Sequence, residues 1–234
     1  MFKYETHLHT LPVSKCARVN VKDNLEFYKS LGYDGVFITN HFIDGNGAIN
    51  KDMPYEWQIE TFFSDYDDGV ALGREIGIRV FCGAEMSYKG TDFLVYGLGF
   101  DWYVKHPEIV DMKKSQLLPF LMENGALVIQ AHPYREAKYI DHIRLFPRCV
   151  QGVEIDNACR SEFENEMARH YADAYGLLHF AGSDNHVGIK RPRLSGMEFD
   201  TPISDELDFV SRIKNGEGKM FSLDNPFIVR EEIK

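Results

Sequence analysis

His7-Leu8-His9 places two imidazoles two residues apart, and on an extended strand such a pair projects from one face. Both rings can then reach one cation, at about 2.0–2.1 Å if it is zinc. Asp184-Asn185-His186 repeats the spacing with a carboxylate in the first place. Either pair alone has an ordinary explanation, a hydrogen-bonded histidine in one case and a turn aspartate in the other. Three further residues of ligand type change the weighing. His41 follows Thr39 by two residues, Glu85 follows Gly83 by two, and His132 follows Ala131 by one, each just past an apolar segment that reads as a strand.

The elements that must position them are short apolar runs alternating with longer amphipathic ones. Strands are expected at Phe2 to His7, Gly35 to Thr39, Ile78 to Gly83, Phe93 to Gly97, Ala126 to Ala131, Gly152 to Ile155 and Leu178 to Ala181. Consecutive apolar residues, as in Val36-Phe37-Ile38 and Leu127-Val128-Ile129, indicate strands covered on both faces. Helices are expected at Asn24 to Leu31, Glu60 to Ile76, Ile109 to Asn124, Glu162 to Tyr175 and Asp205 to Asn215. Each is followed by a glycine (Gly32, Gly77, Gly125, Gly176, Gly216) suited to a left-handed helix end. The alternation predicts parallel strands joined by helical crossovers, hence a distorted (βα)7 TIM-like barrel, with 1–234 as a single domain. The stretch Ile43 to Trp57 reads as a long loop of the kind that often covers a site.

In such a barrel the carboxyl ends of the strands gather at one face, where sites are built. His7, His9, His41, Glu85, His132, Asp184 and His186 would therefore meet there as metal ligands. The set offers nitrogen and oxygen and no thiolate, which suits manganese, zinc or iron. Seven ligands exceed what one ion uses, so two or three divalent ions are implied, with Glu85 and Asp184 able to bridge.

His7-Leu8-His9, Thr39-Asn40-His41, Gly83-Ala84-Glu85, Ala131-His132-Pro133 and Gly182-Ser183-Asp184-Asn185-His186 resemble the successive motifs of the PHP (polymerase and histidinol phosphatase) family. The resemblance spans residues 7 to 186. It implies a di- or trinuclear centre hydrolysing phosphoesters, in which His7, His9, Glu85 and Asp184 hold one ion, Glu85 and His132 a second, and His41 and His186 a third. Two positions depart from the family pattern. Many members have an acidic residue or His shortly after the first pair, where this chain has Pro12, Ser14 and Lys15, and many have a His where Leu94 stands. These departures leave the second and third ions with fewer protein ligands.

A water held between two ions would lose its proton near neutral pH and attack phosphorus in line with the leaving alkoxide. The charge on the equatorial oxygens calls for an arginine fork. Arg160, after the strand Gly152 to Ile155, is the first candidate, and the resemblance supports an Arg in that region; Arg135 and Arg18 follow as substrate-binding residues. Asp92 is the candidate acid for the leaving group. Glu154 and Asp156 read as packing residues or as hydrogen-bond partners of a ligand His. His106, His142, His170 and His179 read as structural or surface residues. The run Lys190-Arg191-Pro192-Arg193 is either a solvated loop or an attractor for an anionic substrate.

A net charge of -10 disfavours a nucleic-acid polymer as partner and leaves a small phosphorylated metabolite, with histidinol phosphate or a nucleotide as specific possibilities. Four cysteines without a C-x-x-C pair read as free thiols of a reducing compartment. With no apolar run near the ~20 residues that cross a bilayer and no basic head before an apolar stretch, a cytoplasmic enzyme without a membrane partner is expected. The alternatives are a metal-dependent amidohydrolase, which also begins with an H-x-H, and a non-catalytic PHP-like structural or regulatory module.

Overall fold

Val36-Phe37-Ile38 shows how the doubly covered strands work in the computed structural model, which describes residues 1–228. These residues lie in β2 (Gly35–Ile38), buried throughout. Phe37 turns inward, with its ring stacked 4.7 Å from that of Phe81, while Val36 and Ile38 turn outward into a cluster with Val21, Leu25 and Tyr28 of α1 (Val21–Ser30). The remaining elements are β1 (Phe2–Leu8), α2 (Tyr55–Ile76), β3 (Arg79–Tyr88), β4 (Thr91–Tyr96), α3 (Phe100–Lys105), α4 (Lys114–Glu123), β5 (Leu127–Ala131), β6 (Gly152–Asn157), α5 (Glu162–Tyr175), β7 (Leu178–Gly182), β8 (Arg193–Phe199), α6 (Glu206–Lys214) and β9 (Lys219–Asp224).

The strands form one sheet in the order β7-β6-β5-β4-β3-β2-β1-β8-β9. It curls until the ends of β7 and β1 meet: His9 N–H donates to the Asn185 carbonyl at 3.1 Å and Asn185 N–H to that of His7 at 3.2 Å. The result is a nearly closed, distorted TIM-like barrel of mixed α/β type. Its interior is filled by Tyr4, Phe37, Phe81, Leu94, Tyr96, Leu127, Ile129 and Phe180. α6 lays Phe209 and Ile213 against this interior and reaches the start of β5 through Lys214 Nζ, which donates to the Gly125 and Ala126 carbonyls, so the opposite mouth is left for the site.

All seven expected strands form. The expectation of parallel pairing throughout fails at β4, which is antiparallel to β3 and β5. Lys89 and Gly90 join β3 to β4 with φ of 51° and 83°, the backbone of a two-residue hairpin, and two residues leave no length for a helical crossover. Because β4 runs backwards, its first residues, including Asp92, still lie at the face where the parallel strands end. β8 and β9 extend the sheet beyond the expected seven strands. Gly196 is needed where β8 crosses β1, since a Cβ there would stand 2.2 Å from the Tyr4 carbonyl oxygen.

α5 spans the expected residues and opens on a capping box in which Ser161 and Glu164 satisfy each other's backbone N–H groups. The five glycines after the expected helices all have positive φ. The expected helix from Ile109 divides into a 3-10 turn at Pro107–Val110 and α4, and α2 starts at Tyr55, immediately after Pro54.

Candidate metal centre

β1 carries a register shift between Glu5 and Leu8, and this bulge turns His7 to the same interior as His9. The backbone N–H groups it frees are collected by Glu5, whose Oε1 accepts from Thr6, His7 and Ser183 at 3.0, 2.9 and 2.9 Å. Tyr28 donates to its other oxygen at 2.7 Å. Burial outweighs these hydrogen bonds and lifts the Glu5 carboxyl to about 7. Just past the ends of β7 and β5, Asp184 at φ 50° and His132 at φ 26° have left-handed backbone, a conformation uncommon for non-glycine residues.

All seven expected ligands converge. His7 Nε2 lies 3.2 Å from His9 Nε2, 3.3 Å from Glu85 Oε1 and 3.6 Å from Asp184 Oδ1. His9 Nε2 lies 3.4 Å from Glu85 Oε2 and 3.6 Å from Asp184 Oδ1. His132 Nε2 lies 3.3 Å from Glu85 Oε1 and 3.8 Å from Asp184 Oδ2, and His186 Nδ1 3.3 Å from Asp184 Oδ1. Donors held at about 2.0–2.2 Å from a shared cation stand roughly 3–3.6 Å from one another, so these separations fit a metal centre. His41 Nδ1 gives a second sign of fit: it is buried, 2.8 Å from Glu85 Oε2, and has no aligned hydrogen bond.

The outer partners hold the rings in place. Glu154 Oε1 is 2.8 Å from His7 Nδ1, which assigns the proton to Nδ1 and leaves Nε2 as the inward donor. Its Oε2 accepts from Asn157 Nδ2 at 2.8 Å and His132 N–H at 3.1 Å. Asp156 is taken up by Arg193 instead. Ser14 Oγ is 3.2 Å from His9 Nδ1, accepts from His41 N–H at 3.1 Å and donates to Asn40 Oδ1 at 2.7 Å. Asn40 in turn donates to Asp65 on α2, whose Oδ2 also accepts from Thr10 Oγ1 and Val13 N–H. This network fastens the loop after β1 to the loop after β2, and the two loops pair further through Lys15 N–H to Asn46 and Ala48 N–H to Val13. The expected covering loop is thus tied down next to the site.

The charges are strongly coupled. Burial opposes charge on His7, yet Glu154 and Asp184 hold it protonated well above the usual range. Burial and the neighbouring rings of His186 and His41 push His9 well below it. Glu85 is driven well below the usual carboxylate range because His41, His132 and His7 outweigh its burial. Burial is likewise outweighed at His41, which Glu85 lifts to about 11. Imidazoles shared between carboxylates in this way would exchange their protons for a cation.

Comparison with solved structures places this arrangement. A two-domain protein from Bacteroides vulgatus, described as containing a predicted PHP-like metal-dependent phosphoesterase, superposes with a TM-score of 0.66 at 13% identity over 94% of this chain. The match spans 64% of that protein, under two thirds of its length. A Bifidobacterium adolescentis protein described as a metal-dependent phosphoesterase has a TM-score of 0.53 at 13% identity, covering 79% of this chain and 88% of its own. The chain has a PHP-like fold. A Chromobacterium violaceum protein described as an amidohydrolase, with bound sulfate and no metal, has a TM-score of 0.52 at 13% identity, covering 92% of this chain and 97% of its own. No sequence-family model matches the chain, and no curated protein matches it by sequence.

Within this PHP-like fold, the residues expected on the substrate side divide. Asp92 is buried, 4.0 Å from His132 Nε2 and 2.7 Å from Arg135 Nη2, so two candidates form one ion pair beside the cluster. Burial and the Glu85 charge raise the Asp92 carboxyl, with Arg135 and His132 opposing them. Arg160 and Arg191 both act on Cys159, whose Sγ is 3.3 Å from the Asp184 carbonyl oxygen. Arg160 also lines a cleft of about 600 Å³ with Arg169 and Arg193. Arg18 has an exposed side chain, and its backbone N–H donates to the His186 carbonyl at 2.8 Å. Leu94 packs in the barrel interior.

Cys16 was not among the expected ligands, yet it stands beside three of them. Its Sγ and ring nitrogens of His9, His41 and His186 all lie within 4.8 Å of one another. Burial resists ionisation of the thiol, but hydrogen bonds with His186 and His41 prevail and bring it down to about 6. Glu5, Ser14 and Asp65 also escaped the sequence reading. Glu5 stands two residues before His7, and Asp65 is a carboxylate near the apolar stripe Ile59, Phe62 and Phe63; both were visible signals.

Proposed function

We propose that this chain is a metal-dependent phosphatase that hydrolyses the phosphate monoester of a small metabolite. The observation that carries the reading is the company of the ligand cluster: Arg135, Arg160 and Arg191 each have a buried Nε without a hydrogen-bond partner. Three guanidinium groups with donors to spare suit the oxygens of a phosphoryl dianion, whereas a neutral amide gives them nothing to neutralise. When bound, two or three divalent cations, of manganese, zinc or iron, supply Lewis acidity at a phosphoryl oxygen and lower the pKa of water toward 7.

The chain's own residues do the rest. Glu85 and Asp184 face four imidazoles each and would hold the cations together with them. Arg135 and Arg160 orient the phosphoryl group from two sides, with Arg191 beside Arg160. Asp92, raised toward its protonated form, delivers a proton to the leaving alkoxide. Arg18 offers its charge at the exposed rim to an arriving anion. The net charge of -10 argues against a polymeric nucleic acid. Among the described residues no helix is long and apolar enough to cross a membrane. Four free thiols support a cytoplasmic location.

The test is phosphate release from a metabolite library, histidinol phosphate and nucleotides included, by protein loaded separately with manganese, zinc and iron, beside a panel of amides. Metal-dependent phosphate release that disappears in the His9→Ala, His132→Ala double variant is the expected result. Turnover of amides without phosphate release would replace this reading with the amidohydrolase one. Inactivity on every substrate with all three metals bound would leave a non-catalytic module.

A further inference from the structure

We propose that Cys16 is a metal ligand, and that Cys16, His41 and His186 form a sulfur-and-nitrogen position that selects zinc over harder cations. The proposal rests on the metal-centre reading above and adds a donor that gives one position a chemistry of its own. Three features of the chain place the thiol there. First, Cys16 Sγ and the ring nitrogens of His9, His41 and His186 lie mutually within 4.8 Å. A cation holding sulfur at about 2.3 Å and nitrogen at about 2.0–2.1 Å sets tetrahedral donors roughly 3.3–3.6 Å apart, so shifts of about 1 Å would gather these four atoms around one ion.

Second, the loop that carries Cys16 is built to hold it still. Ala17 N–H donates to the Ser14 carbonyl at 3.1 Å, closing a turn with Cys16 at its third position. Ser14, the first residue of that turn, contacts His9 Nδ1 and His41 N–H through its hydroxyl. One serine therefore sets the thiol's turn and two of the surrounding histidines together. Lys15 N–H, bonded to the Asn46 carbonyl, straps the same turn to the loop after β2.

Third, the carboxylates are shared unequally. His7, His9 and His132 crowd around both Glu85 and Asp184, whereas His41 is close to Glu85 alone and His186 to Asp184 alone. The His41 and His186 side of the cluster is poor in carboxylate, and Cys16 supplies its anionic donor. His9 lies between the two sides, its ring stacked 4.2 Å from that of His186. Thiolate with imidazole favours zinc or iron(II) and disfavours magnesium, so this position and the Glu85–Asp184 position should differ in metal preference.

Cobalt(II) tests this directly, because thiolate coordination produces a sulfur-to-cobalt charge-transfer band that nitrogen and oxygen donors do not. Metal-free protein is titrated with cobalt while absorbance and bound metal per chain are measured. The wild type should develop the band. Cys16→Ser should lose it together with one bound ion, Cys16→Asp should lose it and keep the ion, and Cys159→Ser should keep both. Cobalt bound to the wild type without the band, or a band that survives Cys16→Ser, overturns the proposal while leaving the metal-centre reading intact. No cobalt bound at all would overturn both, and a band in a protein without phosphatase activity would remove only the functional reading.

Discussion

Replacing Glu154 with glutamine changes one atom in a fully buried side chain and should weaken metal binding without unfolding the protein. The wild-type carboxylate accepts on both oxygens: Oε1 from His7 Nδ1 at 2.8 Å, Oε2 from Asn157 Nδ2 at 2.8 Å and His132 N–H at 3.1 Å. A glutamine has one acceptor oxygen for these two sides. If its NH2 faces His7, the ring must accept at Nδ1, its proton moves to Nε2, and the inward donor is lost. If the NH2 faces Asn157 and His132, two buried donors lose their acceptor and the left-handed turn at His132 loses its tie. Either outcome removes a charge-assisted hydrogen bond, and loss of such an outer partner lowers metal affinity about 10–100-fold, or about 1.4–2.8 kcal/mol at 1.4 kcal/mol per tenfold. Competition against a chromophoric chelator measures the dissociation constant, with near-ultraviolet circular dichroism as a check on packing. A constant within about twofold of wild type in a folded Glu154→Gln protein would refute the assignment of the His7 proton and the reasoning built on it.

Four further outcomes are expected. Asp65→Ala leaves the Thr10 hydroxyl and Val13 N–H without their acceptor and takes one of two from the Asn40 amide, and should cost about 3 kcal/mol in urea unfolding of the metal-free protein; a loss below about 1 kcal/mol would show that the network contributes little. Gly182→Ala would put a Cβ 2.6 Å from His7 Cβ and 2.8 Å from Glu154 Oε1, so metal affinity should fall even where the fold survives, and an unchanged affinity would argue against a rigid His7. Arg160→Ala and Arg191→Ala should each lower kcat/KM by about tenfold or more, as expected for a lost charged hydrogen bond of about 1.5–3 kcal/mol, with bound metal unchanged; equal kcat/KM values would take them off the substrate. Chelation should lower the melting temperature, since free metal at about 100 times its dissociation constant stabilises by about 2.7 kcal/mol, and a chain of this size shifts by about 2–4 °C per kcal/mol.

The barrel and the seven residues that converge at its mouth were legible because they follow local rules. Strands such as β2 and β5 are apolar on consecutive residues, α5 has its capping box and glycine, and the histidines and carboxylates stand within four residues of strand ends. What escaped depends on contacts distant along the chain. β4 is reversed by the two-residue turn Lys89-Gly90, whose left-handed lysine carries none of the usual Asn-Gly signal. Cys16 lies in a loop seven residues past His9, and nothing in its neighbours announces that loops after β1 and β2 pair and hold it against His41 and His186. Of the basic run Lys190 to Arg193, Arg193 is engaged by Asp156, which leaves Arg191 as the arginine with a donor to spare; no pattern in the run distinguishes them.

The departures from local rules gather at one end of the barrel. Asp184 and His132 adopt left-handed backbone, at a cost of order 1–3 kcal/mol each, on adjoining sides of the same cluster. Glu5 is a buried carboxylate that accepts from backbone N–H groups and a tyrosine, and so stabilises the bulge that turns His7 inward. Fully buried imidazoles and carboxylates crowd together where an apolar core would be more stable. A fold selected for stability alone would have no need of these features together. Their coincidence around one set of donor atoms is explained if they share a ligand, and a cation is the ligand that can satisfy the imidazoles and both carboxylates together. The strain at His132 and Asp184 then belongs with the donor geometry itself: each residue leaves its strand with left-handed backbone and brings its side chain to the shared donors, His132 Nε2 3.3 Å from Glu85 Oε1 and 3.8 Å from Asp184 Oδ2.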